Sequence, residues 1–312
     1  MEMKNPVNLS MEYFQKLLRN NSKGEPTMPA EIIKGSEVAE QLREEMKTEV
    51  AQLKERGIVP KLTVILIGDD PASHSYVRGK ERASNEIGID SDIIRMKADI
   101  TEQTLLQEIA KLNDDDTVNG ILVQLPLPSH INEQKVIEAI SPEKDVDGFH
   151  PINIGRMMVG QDTFLPCTPY GILTLLRTKH IKIDGSHAVI IGRSNIVGKP
   201  MGQLLLNENA TVTYCHSHTK DLASHTKNAD ILIVAIGREH AIDESFVKQG
   251  AAIIDVGVNR TSEGTLTGDV DFEAVKDVAS YITPVPKGVG PMTITMLLAN
   301  TIKAAKRRNE RA

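Results

Sequence analysis

Apolar residues along the chain recur with two alternating periods. Val38, Leu42, Met46, Val50 and Leu53 fall at three- and four-residue steps, the stripe of a helix that Ser36 can cap and Gly57 can stop. Directly after it, LTVILI (62–67) is an unbroken apolar run of strand length, which fits a parallel strand covered on both faces. The alternation continues with a helix over 73–87 ended by Gly88, then a strand at 91–96, a helix at 101–112, a strand at 120–124 and a helix at 132–140. Between 141 and 169 the rhythm lapses into Gly, Pro, Asp and Asn, which marks a domain junction. A second series follows, with strands at 187–191, 211–215, 231–236 and 252–256, and a last helix over 291–306 after Pro284-Val-Pro286. Strands alternating with helices predict α/β architecture with parallel sheets.

Size and charge narrow the functional classes. At 312 residues the chain exceeds the roughly 250 to 300 at which a single core stops growing, so two domains are expected. Apolar content of 40% and charged content of 25% describe a globular protein and set aside disorder. A net charge of -6 lacks the basic excess that binding a phosphate backbone requires, and 3% aromatic residues leave few stacking platforms, so no nucleic-acid partner is expected. No apolar run reaches a membrane span, and residues 1–27 carry no apolar stretch of the secretory kind. Two cysteines, Cys167 and Cys215, are too few for a disulfide framework and suit a reducing cytoplasm.

Candidate chemistry collects at strand ends. IGRSNIVG (191–198) stands after a buried strand and opens a helix, the context in which a glycine turn presents helix N–H groups to a pyrophosphate. Ser194 takes the middle glycine position and Gly198 comes one residue late, so a plain strand-to-helix turn remains the competing reading of Gly192 and its neighbours. At the end of the next strand an NAD site places a carboxylate for the ribose hydroxyls. Here stands CHSH (215–218), and with Arg193, Ser217 and His216 at hand the balance leans to NADP, NAD being the other option. Cys215, His216 and His218 are metal-ligand types, but without CxxC or HxxxH spacing no metal site is expected.

Tyr76 and Lys80 lie four apart on one helix face, either a catalytic pair or a surface pair. Gln124 ends an apolar strand where α/β ligands bind, and Asp147 is either a turn residue beside Gly148 or an acceptor for an amino-pyrimidine edge.

Together these residues resemble the bifunctional methylenetetrahydrofolate dehydrogenase/cyclohydrolases. The resemblance is carried by GDDPASHSYVRGK (68–80), GILVQLPLP (120–128), PEKDVDGFHPINIG (142–155), PCTPYGI (166–172), GRSNIVGKPM (192–201), IIDVGVNR (253–260), GDVDF (268–272) and YITPVPKGVGPMT (281–293). It implies two α/β domains with parallel sheets around a cleft, the C-terminal one Rossmann-like. Residues 29–148 with 294–312 would form the folate-binding catalytic domain and 149–293 the NAD(P)-binding domain. Residues 1–28, with a helical stretch at 11–18, would be a flexible extension.

By motif, Tyr76 would stack on the folate, Lys80 would be the base, Gln124 would support Lys80, and Asp147 would hold the pterin. Pro286 and Gly290 would line the folate wall. Gly192, Arg193, Ser194, His216, Ser217 and Val258 would meet the dinucleotide. The resemblance further implies tetrahydrofolate substrates, a homodimer and a cytoplasmic enzyme. A dehydrogenase without the hydrolytic step, and a silent folate or dinucleotide binder, are the alternatives. One departure stands out: the family reads PVPGGVG where this chain has Lys287 in place of the first Gly.

Overall fold

The computed structural model describes residues 29–311, and the extension at 1–28, with its expected helical stretch, lies outside the described residues. After a two-residue strand β1 (Glu31–Ile32), the first half of the chain alternates α1 (Gly35–Glu55), β2 (Lys61–Ile67), α2 (Pro71–Ile87), β3 (Asp90–Met96), α3 (Glu102–Asp114), β4 (Gly120–Val123) and α4 (Glu133–Ala139). Strands β2, β3 and β4 form a parallel sheet in the order β3-β2-β4. The central strand β2 is buried from Leu62 to Ile67, as its unbroken apolar run requires.

The second half holds α5 (Pro151–Met158), α6 (Cys167–Thr178), β5 (His187–Ile191), α7 (Gly198–Asn207), β6 (Thr211–Cys215), α8 (Leu222–Thr226), β7 (Ile231–Val234), β8 (Ala252–Asp255), a hairpin of β9 (Asn259–Arg260) and β10 (Leu266–Thr267), α9 (Phe272–Val275), β11 (Tyr281–Ile282) and α10 (Val289–Arg311). Six strands make a second parallel sheet ordered β1-β11-β8-β7-β5-β6. The two predicted α/β units are present. The interval 141–169 is less irregular than its composition implies, because α5 and the start of α6 occupy it. Pro151 at the first turn of α5 and Pro169 in the first turn of α6 are tolerated there, since first-turn N–H groups have no partner within the helix.

Both ends of the described chain cross between the units. Residues 31–32, grouped on the sequence with the folate-binding unit, hydrogen-bond instead to β11 as the edge of the six-stranded sheet. Helix α10 packs against both α6 and α1. A Cβ on Gly171 in α6 would lie 2.8 Å from Met292 Cβ, so this glycine lets α6 and α10 approach closely.

Loops at the C-terminal edge of the larger sheet are tied by two buried carboxylates. Asp255, at the end of β8, accepts from the backbone N–H of Gly257, Asp269 and Val270, each at 3.0 Å. Asp269 in turn accepts from the N–H of Ile236, Gly237 and Arg238 at 2.7 to 2.9 Å. Burial pushes the Asp255 carboxyl up from 3.8 to about 6, with the nearby Asp269 charge adding to the rise against the donated hydrogen bonds.

Two outcomes follow from this packing. Gly171→Val should destabilise the fold by about 2 kcal/mol through overpacking at the α6–α10 contact, read as a fall in the urea midpoint, and an unchanged midpoint would contradict it. Because the Asp255 pKa is raised on folding, the native state binds the extra proton between pH 4 and 6, so this group's contribution falls as pH rises through that window. Unfolding titrations across the window should show a drop on the order of 2 to 3 kcal/mol that Asp255→Asn removes.

Candidate active site

Helix α2 begins with Asp70 accepting from Ser73 N–H at 2.7 Å and with Pro71 in its first turn, which sets the register of Tyr76 and Lys80. Lys80 is 6% exposed, and its Nζ donates to Gln124 Oε1 at 2.9 Å. Gln124 continues the ladder beyond β4, its N–H donating to Ile65 O at 2.9 Å. Its Nε2 donates to Leu125 O at 2.6 Å, and this second bond turns Oε1 towards the amine. Burial lowers the Lys80 pKa below its ordinary 10.5, opposed by the charges of Asp147 and Cys167. The Asp147 carboxyl is pushed up by burial and pulled back by Lys80.

The two readings of Asp147 are separated by its neighbour. The turn at 145–150 is closed by Asp145, which accepts from the N–H of Gly148, Phe149 and His150 and from Asn153 Nδ2. Asp147 does not serve that turn. Gly148 has φ of 76°, and a Cβ there would sit 2.5 Å from the Leu165 carbonyl carbon, so only glycine lets the chain pass. The segment is bolted from α10, where Asn300 Nδ2 donates to Val146 O at 2.8 Å and to Leu165 O at 3.0 Å. The Cys167 thiol donates to Val146 O at 3.3 Å, and its pKa is pushed well up by burial and by the Asp147 charge.

Beside this buried group opens a cleft of about 540 Å³ lined by Tyr76, Val258, Pro286, Lys287 and Gly290 among others. A Cβ on Gly290 would be 3.8 Å from the Tyr76 hydroxyl, so the two walls nearly meet. The structure thus brings Tyr76, Pro286 and Gly290 together, and Val258 opens on the same cleft. Lys80, Gln124 and Asp147 do not line it; Lys80 lies one turn along α2 on the buried side, and Asp147 lines a separate cavity of about 20 Å³ with Asp145 and Phe149. Lys287 keeps a left-handed conformation, φ of 80°, at the position where it departs from the family pattern.

The glycine turn lies at the end of β5. Gly192 has φ of 128°, and a Cβ on it would fall 2.3 Å from Ala235 O; a Cβ on Gly198 would fall 2.4 Å from Gly192 O. Ser194 Oγ accepts from the N–H of Val197 and Gly198, each at 3.2 Å, and so caps the entry to α7. Arg193, just past β5, and Ser217, just past β6, are exposed, and the His216 imidazole is held below its ordinary pKa by desolvation, then by Arg193 and His218. A guanidinium and two imidazoles therefore gather where no carboxylate follows the strand, a donor set suited to a phosphate-bearing dinucleotide. Among the described residues no group of three or more His, Cys, Asp or Glu is placed to hold a metal ion.

Asp145, Asn300, Asp255 and Asp269 escaped the sequence reading as supports of the site. The one signal was the paired spacing of Asp145 with Asp147 and of Asp269 with Asp271, which does not say which member is buried.

Comparison with known proteins agrees along the chain. Residues 33–147 match the catalytic domain of tetrahydrofolate dehydrogenase/cyclohydrolase and residues 166–309 match its NAD(P)-binding domain. The bifunctional protein FolD of Oceanobacillus iheyensis is 64% identical over 281 residues, 90% of this chain and 99% of that protein. The crystal structure of the bifunctional FolD of Campylobacter jejuni superposes with a TM-score of 0.88 at 50% identity, covering 89% of this chain and 99% of that one. The FolD of Trypanosoma brucei, solved with NADP cofactor and an inhibitor, gives 0.88 at 38% identity, covering 91% and 100%. The chain belongs to the tetrahydrofolate dehydrogenase/cyclohydrolase family.

Proposed function

We propose that Lys80, Gln124, Tyr76 and Asp147 are the working face of a bifunctional enzyme of one-carbon metabolism. As a family member, the protein oxidises methylenetetrahydrofolate to the methenyl form with NADP and hydrolyses that product to formyltetrahydrofolate. The observation that carries the assignment of roles is the buried Lys80 amine, held by Gln124 at 2.9 Å.

In the first step NADP, when bound, supplies the nicotinamide that accepts hydride from the methylene carbon. The folate nitrogens stabilise the developing cation, so the protein's task is orientation rather than acid or base catalysis. Tyr76 stacks on the folate, Asp147 accepts hydrogen bonds from the aminopyrimidine edge, and Pro286 and Gly290 form the opposite wall. Gly192, Arg193, Ser194, His216, Ser217 and Val258 serve the dinucleotide, Ser194 by closing the turn, Arg193 by matching phosphate charge and His216 by a hydrogen bond from its neutral ring.

In the second step water adds to the methenyl carbon and loses a proton, and the hydroxyl adduct then opens as the bond from that carbon to one folate nitrogen breaks, the hydroxyl proton passing to the departing nitrogen. An ammonium beside a cationic methenyl group is repelled, and the dry surroundings of Lys80 lower its pKa in the same direction, towards the neutral amine. That amine donates one N–H to Gln124 and keeps its lone pair for the proton of the attacking water. Once the proton is taken, the Asp147 charge stabilises the resulting ammonium. A dehydrogenase lacking hydrolysis is not favoured, since Tyr76, Lys80, Gln124 and Asp147 are all present.

A cytoplasmic homodimer completes the proposal. Cys167 and Cys215 are both unpaired and buried, and Met158, Val159 and Leu206 are exposed apolar side chains in the second unit. Among the described residues no helix is long and apolar enough to cross a membrane.

Supplied with methylenetetrahydrofolate and NADP, the purified protein should yield reduced cofactor without accumulation of the methenyl product. No turnover with either NADP or NAD would sink the assignment. Lys80→Met should lower the cyclohydrolase rate by about a hundredfold or more and leave a larger share of the dehydrogenase rate. Full cyclohydrolase activity in that variant would remove Lys80 from the role.

A further inference from the structure

The outer part of the cleft carries charge that the chemistry above does not use. Five charged residues line it: Arg43, Arg82, Glu86, Asp255 and Lys287. Asp255 is occupied by three backbone N–H groups, and Glu86 faces Arg43 with 3.6 Å between Oε2 and Nε. Arg82 and Lys287 have no ion pair among the described residues, so the rim holds two positive charges without acidic partners.

Lys287 is also held where a side chain is disfavoured. Its φ is 80°, in the region where non-glycine residues are uncommon, and its carbonyl accepts from Ser36 N–H at 3.1 Å, which fixes the loop to the start of α1. A strained non-glycine residue on a ligand cleft points to a function for its side chain.

On the functional reading given above, on which this inference rests, the pterin lies towards Asp147 and the ring system passes Tyr76. The remaining end of a tetrahydrofolate is a benzoyl-glutamate with two carboxylates. We propose that Lys287, with Arg82, receives those carboxylates and makes the glutamate end of the substrate a specificity determinant of this enzyme. Arg82 follows Tyr76 by six residues on α2, about 9 Å along the helix axis, so the two cations flank the way out of the cleft.

The test compares methylenetetrahydrofolate with methylenetetrahydropteroate, which lacks the glutamate, under the dehydrogenase assay. The quantity read is the ratio of kcat/KM for the full substrate to that for the truncated one. Lys287→Asn, which tolerates the left-handed backbone, should lower this ratio about fivefold, chiefly through KM of the full substrate, and Lys287→Glu should lower it further. Added salt should shrink the wild-type ratio towards that of Lys287→Asn. A ratio unchanged within twofold in both variants overturns the proposal. If the wild-type protein turns over neither substrate, the functional reading itself fails, an outcome distinct from turnover of both with an unchanged ratio.

Discussion

The exclusion of water from one amine governs the rest of the molecule. A lysine in water is charged at any physiological pH, and a charged lysine beside a methenyl cation is a poor base. Placing Lys80 on the buried side of α2, against the end of β4, lowers its pKa and so makes the neutral amine easier to reach. That burial needs a polar partner without a negative charge. Gln124 supplies one, and its own orientation is fixed by its bond to Leu125 O. Asp147 stands close enough to oppose the shift without removing it, leaving an amine that can give up and regain a proton.

Such a site is only as good as the supports around it, and these come from remote parts of the chain. Helix α10 reaches back to hold the 146–147 segment through Asn300, and it closes on α6 at Gly171. Strand β1 stitches the start of the described chain into the opposite sheet. Asp145 absorbs the backbone donors of the 145–150 turn, which leaves the Asp147 carboxylate out of that turn. Asp255 and Asp269 do the same for the loops around Val258, which lines the cleft.

Much of this was legible in the residues. The buried parallel strands announced themselves by unbroken apolar runs such as 62–67, and the helices by their stripes and glycine stops. The Tyr76–Lys80 spacing placed that pair on one helix, and the apolar run before Gln124 placed its amide at the end of β4. What the sequence hid were pairings between distant segments. β1 and β11 are two residues each, too short for any periodicity, and exist because they meet across the fold. The interval 141–169 looked like loop because its prolines and glycines dominate local propensity, yet two of those prolines sit in first turns of helices where they cost little. Likewise, nothing local tells Asp145 from Asp147. Only the path of the chain past Leu165 decides which carboxylate is consumed by the turn.

The protonation state of Lys80 decides whether the proposed hydrolytic route is open, and titration of that amine tests it most directly. Nuclear magnetic resonance of the protein labelled at lysine side chains, with Lys80→Met identifying the resonance, reads this value. The expected result is a Lys80 pKa below the ordinary 10.5, lowered by burial, with Gln124→Glu moving it upward. A pKa at or above 10.5 in the wild-type protein would mean a permanently charged ammonium and would contradict the proposed route for the hydrolytic step.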